Sequence, residues 1–252
     1  MVKAIMSGCA GRMGRVITQL AQEDSGIGIV AGVDVVGVND ASYPVFSSFD
    51  KCDVQADVII DFSSPKAFDA MIAYALEKKI AAVVCTTGLE EAQLQRLEEA
   101  SREIPVLRSA NMSLGINLLI KLLKAAAPVL AQAGFDIEIV EQHHNKKKDA
   151  PSGTAIALAD SITEAMDGTY SYTYDRSPLY EQRRENEIGI SSVRGGTIVG
   201  VHDVLFAGTD EVIELRHTAY SRAIFGKGAL TAAKYLQGRA PGYYQMSDVI
   251  EG

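Results

Sequence analysis

VKAIMSGCAGRMGRVITQL, residues 2–20, decides the fold. The apolar run VKAIM reads as a short strand and stops at Ser7-Gly8. Met13, Val16, Ile17 and Leu20 then recur at helical spacing, the buried stripe of a helix over about residues 12–23. The link between them, GCAGRMGR, carries glycines at 8, 11 and 14. Glycine suits this place for three reasons. A tight turn needs φ > 0, an anionic group must approach bare backbone, and the helix must pack closely on the strand. The helix N-terminus then offers unpaired N–H groups to the anion.

The pattern continues outward. GIVAGVD (28–34) reads as a second strand, ended by Asp34 about twenty residues past the last of these glycines. A carboxylate there bonds the adenosine ribose hydroxyls of a dinucleotide. The glycine spacing is G-x-x-G-x-x-G rather than the commoner G-x-G-x-x-G, and the flanking strand, helix and acid make it a dinucleotide loop rather than a structural turn. Asp34 is followed by Val35 and Val36, with no cation to meet a 2′-phosphate, so NADH is favoured and NADPH remains possible through Arg12 and Arg15. DVIIDFS (57–63), IAAVVCTTG (80–88) and IPVLRSAN (104–111) are further strands, separated by the helical stretches beginning at Pro65 and Leu89. Strands alternating with helices imply right-handed crossovers and a Rossmann-type, doubly wound parallel α/β sheet.

From Leu114 the character changes. GINLLIKLLKAAAPVLAQ is helical, with Pro128 expected to kink or interrupt it. FDIEIVEQHH (135–144) alternates as a half-buried strand does, and residues 152–166 form another helix. Three strand-like runs follow without intervening helices: 188–194, 197–208 and 211–219. These features predict an inserted α+β domain over 113–219, with 1–112 and 220–252 forming the dinucleotide-binding domain. In this architecture ligands lie where the strand C-termini open. Thr86, Thr87 and Asn111 follow strands of the first sheet and offer hydroxyl and amide groups to a nicotinamide; helix capping and turn chemistry are the competing uses.

Composition narrows the function classes. The 252 residues carry 24 basic and 32 acidic side chains, a formal net charge of -8, which argues against nucleic acid as the main partner. Three scattered cysteines, Cys9, Cys52 and Cys85, fit a reducing compartment and neither a disulfide framework nor a metal spacing. No run reaches the eighteen or so apolar residues expected of a membrane span. MVKAIMSGCAG turns to glycine too early for a signal peptide. The expectation is a cytoplasmic protein with no membrane partner.

Against that acidity, EQHHNKKKDAPSGTA (141–155) gathers two histidines and three lysines, followed by Pro151 at a helix start. Cations beside a helix N-terminus form an anion trap. One close Lys–carboxylate contact is worth about 4 kcal/mol at an effective dielectric near 20, before desolvation. Two such contacts select a small dianion. Adjacent histidines on a strand point to opposite faces, which makes them poor co-ligands, so no metal is expected. Solvated lysines are the ordinary reading of such a run, and Lys148 is assigned to it.

These residues carry a resemblance. Glu141 through Ala155 is similar to the signature of the 4-hydroxy-tetrahydrodipicolinate reductase (dihydrodipicolinate reductase) family, and GCAGRMGR, CTTG, SANMS, Val193-Arg194-Gly195-Gly196-Thr197 and HTAYSR extend the similarity over essentially the whole chain. The resemblance implies reduction of a cyclic imine dicarboxylate, 4-hydroxy-tetrahydrodipicolinate, to tetrahydrodipicolinate on the diaminopimelate route to lysine, with hydride from NADH or NADPH. It implies a catalytic His143 and a proton-donating Lys147, and substrate contacts at His144, Gly153 and Thr154. Cofactor contacts are implied at Gly8, Cys9, Ala10, Gly11, Arg12, Met13, Asp34, Cys85, Thr86, Thr87, Ser109, Ala110, Asn111 and Met112. Members are usually homotetramers joined through second-domain sheets. Cys85 departs from the family, where glycine is common. The rival readings are a semialdehyde-type dehydrogenase, which needs Cys85 as an activated nucleophile, and a non-catalytic NADH-responsive regulator, which needs a DNA-binding element.

Overall fold

The computed structural model describes residues 1–37 and 41–252, and its chain divides into two compact units, Met1–Leu114 with Ala223–Gly252, and Gly115–Arg222. The first part of the chain forms β1 (Val2–Ser7), α1 (Arg12–Gln22), β2 (Ile27–Val33), β3 (Val45–Phe46), β4 (Val58–Asp61), α2 (Pro65–Lys78), β5 (Ala81–Val84), α3 (Glu91–Ser101) and β6 (Pro105–Arg108). Then come α4 (Leu114–Gln132), β7 (Asp136–His143), α5 (Gly153–Ala165), β8 (Ser171–Thr173), β9 (Glu187–Arg194), β10 (Gly200–Ala207) and β11 (Val212–Ala219). The chain closes with α6 (Ala223–Leu236), β12 (Gly242–Tyr244) and α7 (Met246–Glu251).

The first unit holds a seven-stranded sheet in the order β12-β6-β5-β4-β1-β2-β3, with every pairing parallel. Period-two alternation sends successive side chains to opposite faces. Val58, Ile60, Ala81 and Val83 enter the core shared with α1 and α6, while Ile59, Ala82 and Val84 enter the core shared with α2 and α3. Both faces are covered, which is why these strands read as continuous apolar runs. Gly226 of α6 lies against Ile17 and Leu20 of α1, so the final helix completes the first face. Strand β4 begins and ends short of the expected 57–63, although the Asp57 and Phe62 N–H groups still donate to the Lys3 and Ser7 carbonyls of β1. Strands β3 and β12, each too short for a periodic signal, escape sequence reading.

The second unit has the mixed sheet β11-β10-β7-β9-β8. Strands β7 and β9 run parallel, whereas β10 is antiparallel to both β7 and β11. Its core gathers Ile137, Ile139, Ile188, Ile190, Val204 and Phe206 beneath α4 and α5. Of the two outcomes expected at Pro128, interruption of the helix does not occur: α4 is one helix of 19 residues that contains the proline. A proline in its last turns forfeits one backbone bond, and Leu119, Leu123 and Ala127 pack the same helix into the core. This helix also corrects the expectation about membrane spans, since it is long and apolar enough to cross one by length and composition. Leu118, Leu122 and Val129 stand exposed on it, while its other stripe is packed on the sheet as a core helix is.

Candidate active site

At the C-terminal edge of the first sheet, the glycine loop has the shape its sequence demands. Gly8 has φ +80° and lies so close to the Phe62 carbonyl that a Cβ would sit 2.6 Å from its oxygen. A Cβ on Gly14 would strike the Gly8 carbonyl and the Cys9 backbone. Gly11 is the N-cap of α1 and supplies no side chain to its first-turn amides. That bare terminus is the cradle an anionic phosphate would fill. Cys9 turns into the core, and burial first, then the Asp34 charge, pushes its thiol up to about 11. Only its backbone faces the loop's work.

Asp34 stands one residue beyond β2. The Ala10 N–H donates to its Oδ2 at 3.0 Å and the Val36 N–H to its Oδ1 at 3.0 Å. The carboxylate is thereby fixed at the rim of a cleft of about 520 Å³ that Ser7, Gly8, Gly11, Val35 and Ser63 also line. Lys66 lines it too. This cation was missed in the sequence because it arrives from α2, more than thirty positions away. Arg12 and Arg15 are exposed and Met13 is half-buried.

The remaining first-unit residues divide between loop bracing and exposure. Asp61 is fully buried and receives the Thr86 hydroxyl at 2.7 Å, the Ser63 hydroxyl at 2.6 Å and the Ser63 N–H at 3.3 Å. Thr86 therefore spends its proton tying β5's exit to β4's exit. Thr87 and Ala110 are exposed, and Ser109 is half-buried. Asn111 accepts the Ser113 N–H at 2.8 Å, a turn that precedes α4. Met112 is buried in the core, and its carbonyl presses on Gly228. Desolvation, then the neighbouring Asp61 charge, raises the Cys85 thiol well above its ordinary range. A thiol so held is protonated at neutral pH and is not an activated nucleophile, which removes the residue that the semialdehyde-dehydrogenase reading requires.

In the second unit the end of β7 is built around Glu141, which has no exposed surface. Arg194, at the end of β9, donates to its two oxygens at 2.6 and 2.8 Å. His143 Nδ1 lies 2.6 Å from Glu141 Oε2, and the Ser152 N–H donates to Oε1 at 3.0 Å. Burial pushes the Glu141 carboxyl up, but hydrogen bonds from Arg194, Ser192, His143 and Ser152 outweigh it and hold the group at about 2. Glu141 is thus ionised, so the Nδ1 of His143 carries the proton. Burial lowers the His143 pKa despite Glu141, and the imidazole is neutral with its Nε2 unprotonated.

Beyond the strand, His144 is half-buried, and its Nδ1 is buried without a hydrogen-bond partner among the described residues. Lys147 is half-buried and pairs with Asp149 at 2.8 Å, whereas Lys146 and Lys148 are exposed. Ser152 caps α5, accepting the Ala155 N–H at 3.2 Å. Nothing stands within 4 Å of the place a Gly153 Cβ would occupy, which leaves the first turn open at Gly153. His202 of β10 contacts the Ser152 hydroxyl at 3.1 Å and packs edge-on to His143, ring centroids 5.2 Å apart. The structure therefore brings together Glu141, Arg194 and His202, to which sequence reasoning gave no role. Their signal was an acid two residues before His143 and single basic residues on distant strands. Among the described residues, no group of three or more His, Cys, Asp or Glu side chains is arranged to hold a metal.

Comparison with known proteins covers the whole chain. The family described as "Dihydrodipicolinate reductase, N-terminus" matches residues 2–112, and "Dihydrodipicolinate reductase, C-terminus" matches 115–250. The chain is 53% identical over 251 residues to a 4-hydroxy-tetrahydrodipicolinate reductase of Caldanaerobacter subterraneus subsp. tengcongensis, covering 100% of this chain and 99% of that protein. It is 45% identical over 251 residues to the protein of the same name in Clostridium novyi, with the same coverage. In fold it resembles a dipicolinate-bound dihydrodipicolinate reductase from Paenisporosarcina sp. TG-14, with a TM-score of 0.81, 24% identity and 97% of each chain covered.

Proposed function

The chain belongs to the dihydrodipicolinate reductase family, and on that premise we propose how its own residues reduce 4-hydroxy-tetrahydrodipicolinate to tetrahydrodipicolinate in lysine biosynthesis through diaminopimelate. NAD(P)H, when bound, supplies the hydride. The bare α1 terminus receives its pyrophosphate, with the backbone of Gly8, Cys9, Ala10, Gly11, Arg12 and Met13 around it. Asp34 takes the ribose hydroxyls. Cys85, Thr86, Thr87, Ser109, Ala110, Asn111 and Met112 shape the nicotinamide end, Thr86 by bracing its loop and Met112 by anchoring the chain from the core.

The substrate is a dianion of the kind found in the dipicolinate-bound relative. His144 and the first turn of α5, at Gly153 and Thr154, hold its carboxylates. His143, its pKa lowered by burial and its Nδ1 fixed by Glu141, presents Nε2 as an acceptor. Lys147, the lysine that the family resemblance implies, is the proton donor. Its ammonium protonates the electron-rich enamine left by hydride addition, and positioned general acids of this kind contribute about 10²–10⁴-fold. Asp149 holds that ammonium against the loop. The observation that carries the reading is the buried Glu141 carboxylate, which ties His143, Arg194 and the Ser152 amide into one rigid piece.

Asp34 favours NADH, because a carboxylate repels a 2′-phosphate. Lys66 in the same cleft provides a counter-charge that admits NADPH as well. We place the enzyme in the cytoplasm as a homotetramer assembled through the second-unit sheet, where Val193, Val212 and Ile213 are exposed on the strands. Light scattering checks the mass against four chains of 27.0 kDa. The decisive experiment is oxidation of NADH and of NADPH with the freshly generated product of the preceding synthase. Turnover with NADH ahead of NADPH is expected; oxidation of neither cofactor by the correctly folded protein would remove the reading.

A further inference from the structure

His202 is one of the most enclosed polar side chains of the second unit, 4% exposed, in the middle of a strand whose partners lie on both sides. The sheet register sets it opposite Glu141 on β7, and alternation puts both side chains on one face. Its ring makes two contacts that matter. One is the edge-on contact with His143. The other is the 3.1 Å contact between Nε2 and the hydroxyl of Ser152. Its Nδ1 is buried and has no partner among the described residues.

The contact joins the ring to the helix cap in either tautomer, with Nε2–H donating to Ser152 Oγ or the Ser152 hydroxyl donating to Nε2. Burial, and secondarily the nearby His143, lower the pKa to about 4, so the ring is neutral in this role. Ser152 Oγ also accepts the Ala155 N–H, so its rotamer is fixed from two sides. The Ser152 amide is held by Glu141, the same carboxylate that holds His143. The cap of α5 and the His143 ring are thus supported from below by one buried imidazole.

We propose that His202 is a positioning residue, whose imidazole holds the His143 ring and the Ser152 cap so that the first turn of α5 meets the dicarboxylate in a fixed orientation. It touches neither substrate nor cofactor. The inference rests on the assignment of His143 and the α5 terminus to the substrate site.

The test separates bulk from hydrogen bonding. His202→Phe keeps an aromatic edge against His143 and loses the ring nitrogen that bonds Ser152. His202→Gln places an amide N–H near the position of Nε2. With His202→Phe the KM for the dicarboxylate substrate rises about tenfold, the loss of one buried hydrogen bond, while the KM for NADH stays within about twofold. His202→Gln brings the substrate KM back to within about threefold of the parent. A double-mutant cycle with Ser152→Ala is strongly non-additive, because both changes break one contact. An unchanged substrate KM in folded His202→Phe, equal damage in His202→Gln, or additive losses would each overturn the proposal. If His202→Phe does not fold, His202→Asn, whose shorter amide leaves Ser152 unbonded, takes its place in the cycle. His143→Gln is the control for the premise. Full turnover in that variant removes the site assignment itself, whereas loss there with a silent His202→Phe removes only this inference.

Discussion

Arg194 and Glu141 meet through two parallel hydrogen bonds of 2.6 and 2.8 Å, made between neighbouring parallel strands. The carboxylate has no exposed surface, so the guanidinium is the counter-ion that keeps it charged. This pairing fixes the tautomer of His143, with the proton on Nδ1 facing Glu141 and Nε2 left as an acceptor.

Glu141→Gln removes the charge and keeps the shape. Its folded pKa lies at about 2, below the ordinary 4.5, so it contributes stability that is present above the ordinary value and lost as pH falls through the folded one. In the parent, stability drops over that window; in Glu141→Gln that part of the dependence disappears, and the half-buried Arg194 loses its carboxylate partner. Urea midpoints from neutral pH down through this window check it. Identical pH slopes for the two proteins would contradict the assignment.

Lys147→Ala lowers kcat about a hundredfold or more and leaves the NADH dissociation constant nearly intact, because a proton donor acts only in the chemical step. Lys148, exposed, is the comparison: Lys148→Ala stays close to the parent. Steady-state kinetics with fluorescence titration of NADH distinguish the two, and equal losses would show that the wrong lysine was chosen.

Asp34→Ala weakens NADH roughly tenfold, the worth of a charge-assisted hydrogen bond, and weakens NADPH less because repulsion of the 2′-phosphate disappears with the charge. Lys66→Ala acts in the opposite sense, harming NADPH more. Titration of both cofactors into both variants measures the two preferences, and an unmoved NADH/NADPH ratio in Asp34→Ala would take the ribose role from this residue.

Gly14→Ala forces a methyl group against the Gly8 carbonyl and the Cys9 backbone. Backbone cannot swing aside as a side chain does, so the change costs about 1–3 kcal/mol by overpacking and weakens dinucleotide binding along with stability. Melting curves with and without NADH report both effects.

Cys85→Ala retains turnover, and iodoacetamide at neutral pH leaves the enzyme active, since the thiol is held protonated by desolvation and by Asp61. Inactivation without loss of NADH binding would restore the nucleophile reading.

Much of this was legible in one dimension. The glycines at 8, 11 and 14, Asp34 and the alternating apolar runs specify a parallel sheet with a phosphate-binding turn, because local sterics and period-two burial act over a few residues. The motif from Glu141 to Ala155 likewise contains the imidazole, the ammonium and the helix start within one stretch. Some contributions were invisible for the opposite reason. Arg194 and His202 reach that motif only through strand pairing, more than fifty positions from Glu141. Lys66 reaches the Asp34 cleft from a helix on another strand's connection. The continuity of α4 through Pro128 also depended on packing, since the core contacts of its neighbours outweigh one missing backbone bond. The sequence alone determined which chemical groups are present and the local turns that expose them. Their protonation states were decided by the tertiary structure, because a pKa is set by burial and by charges that only folding brings within a few ångströms.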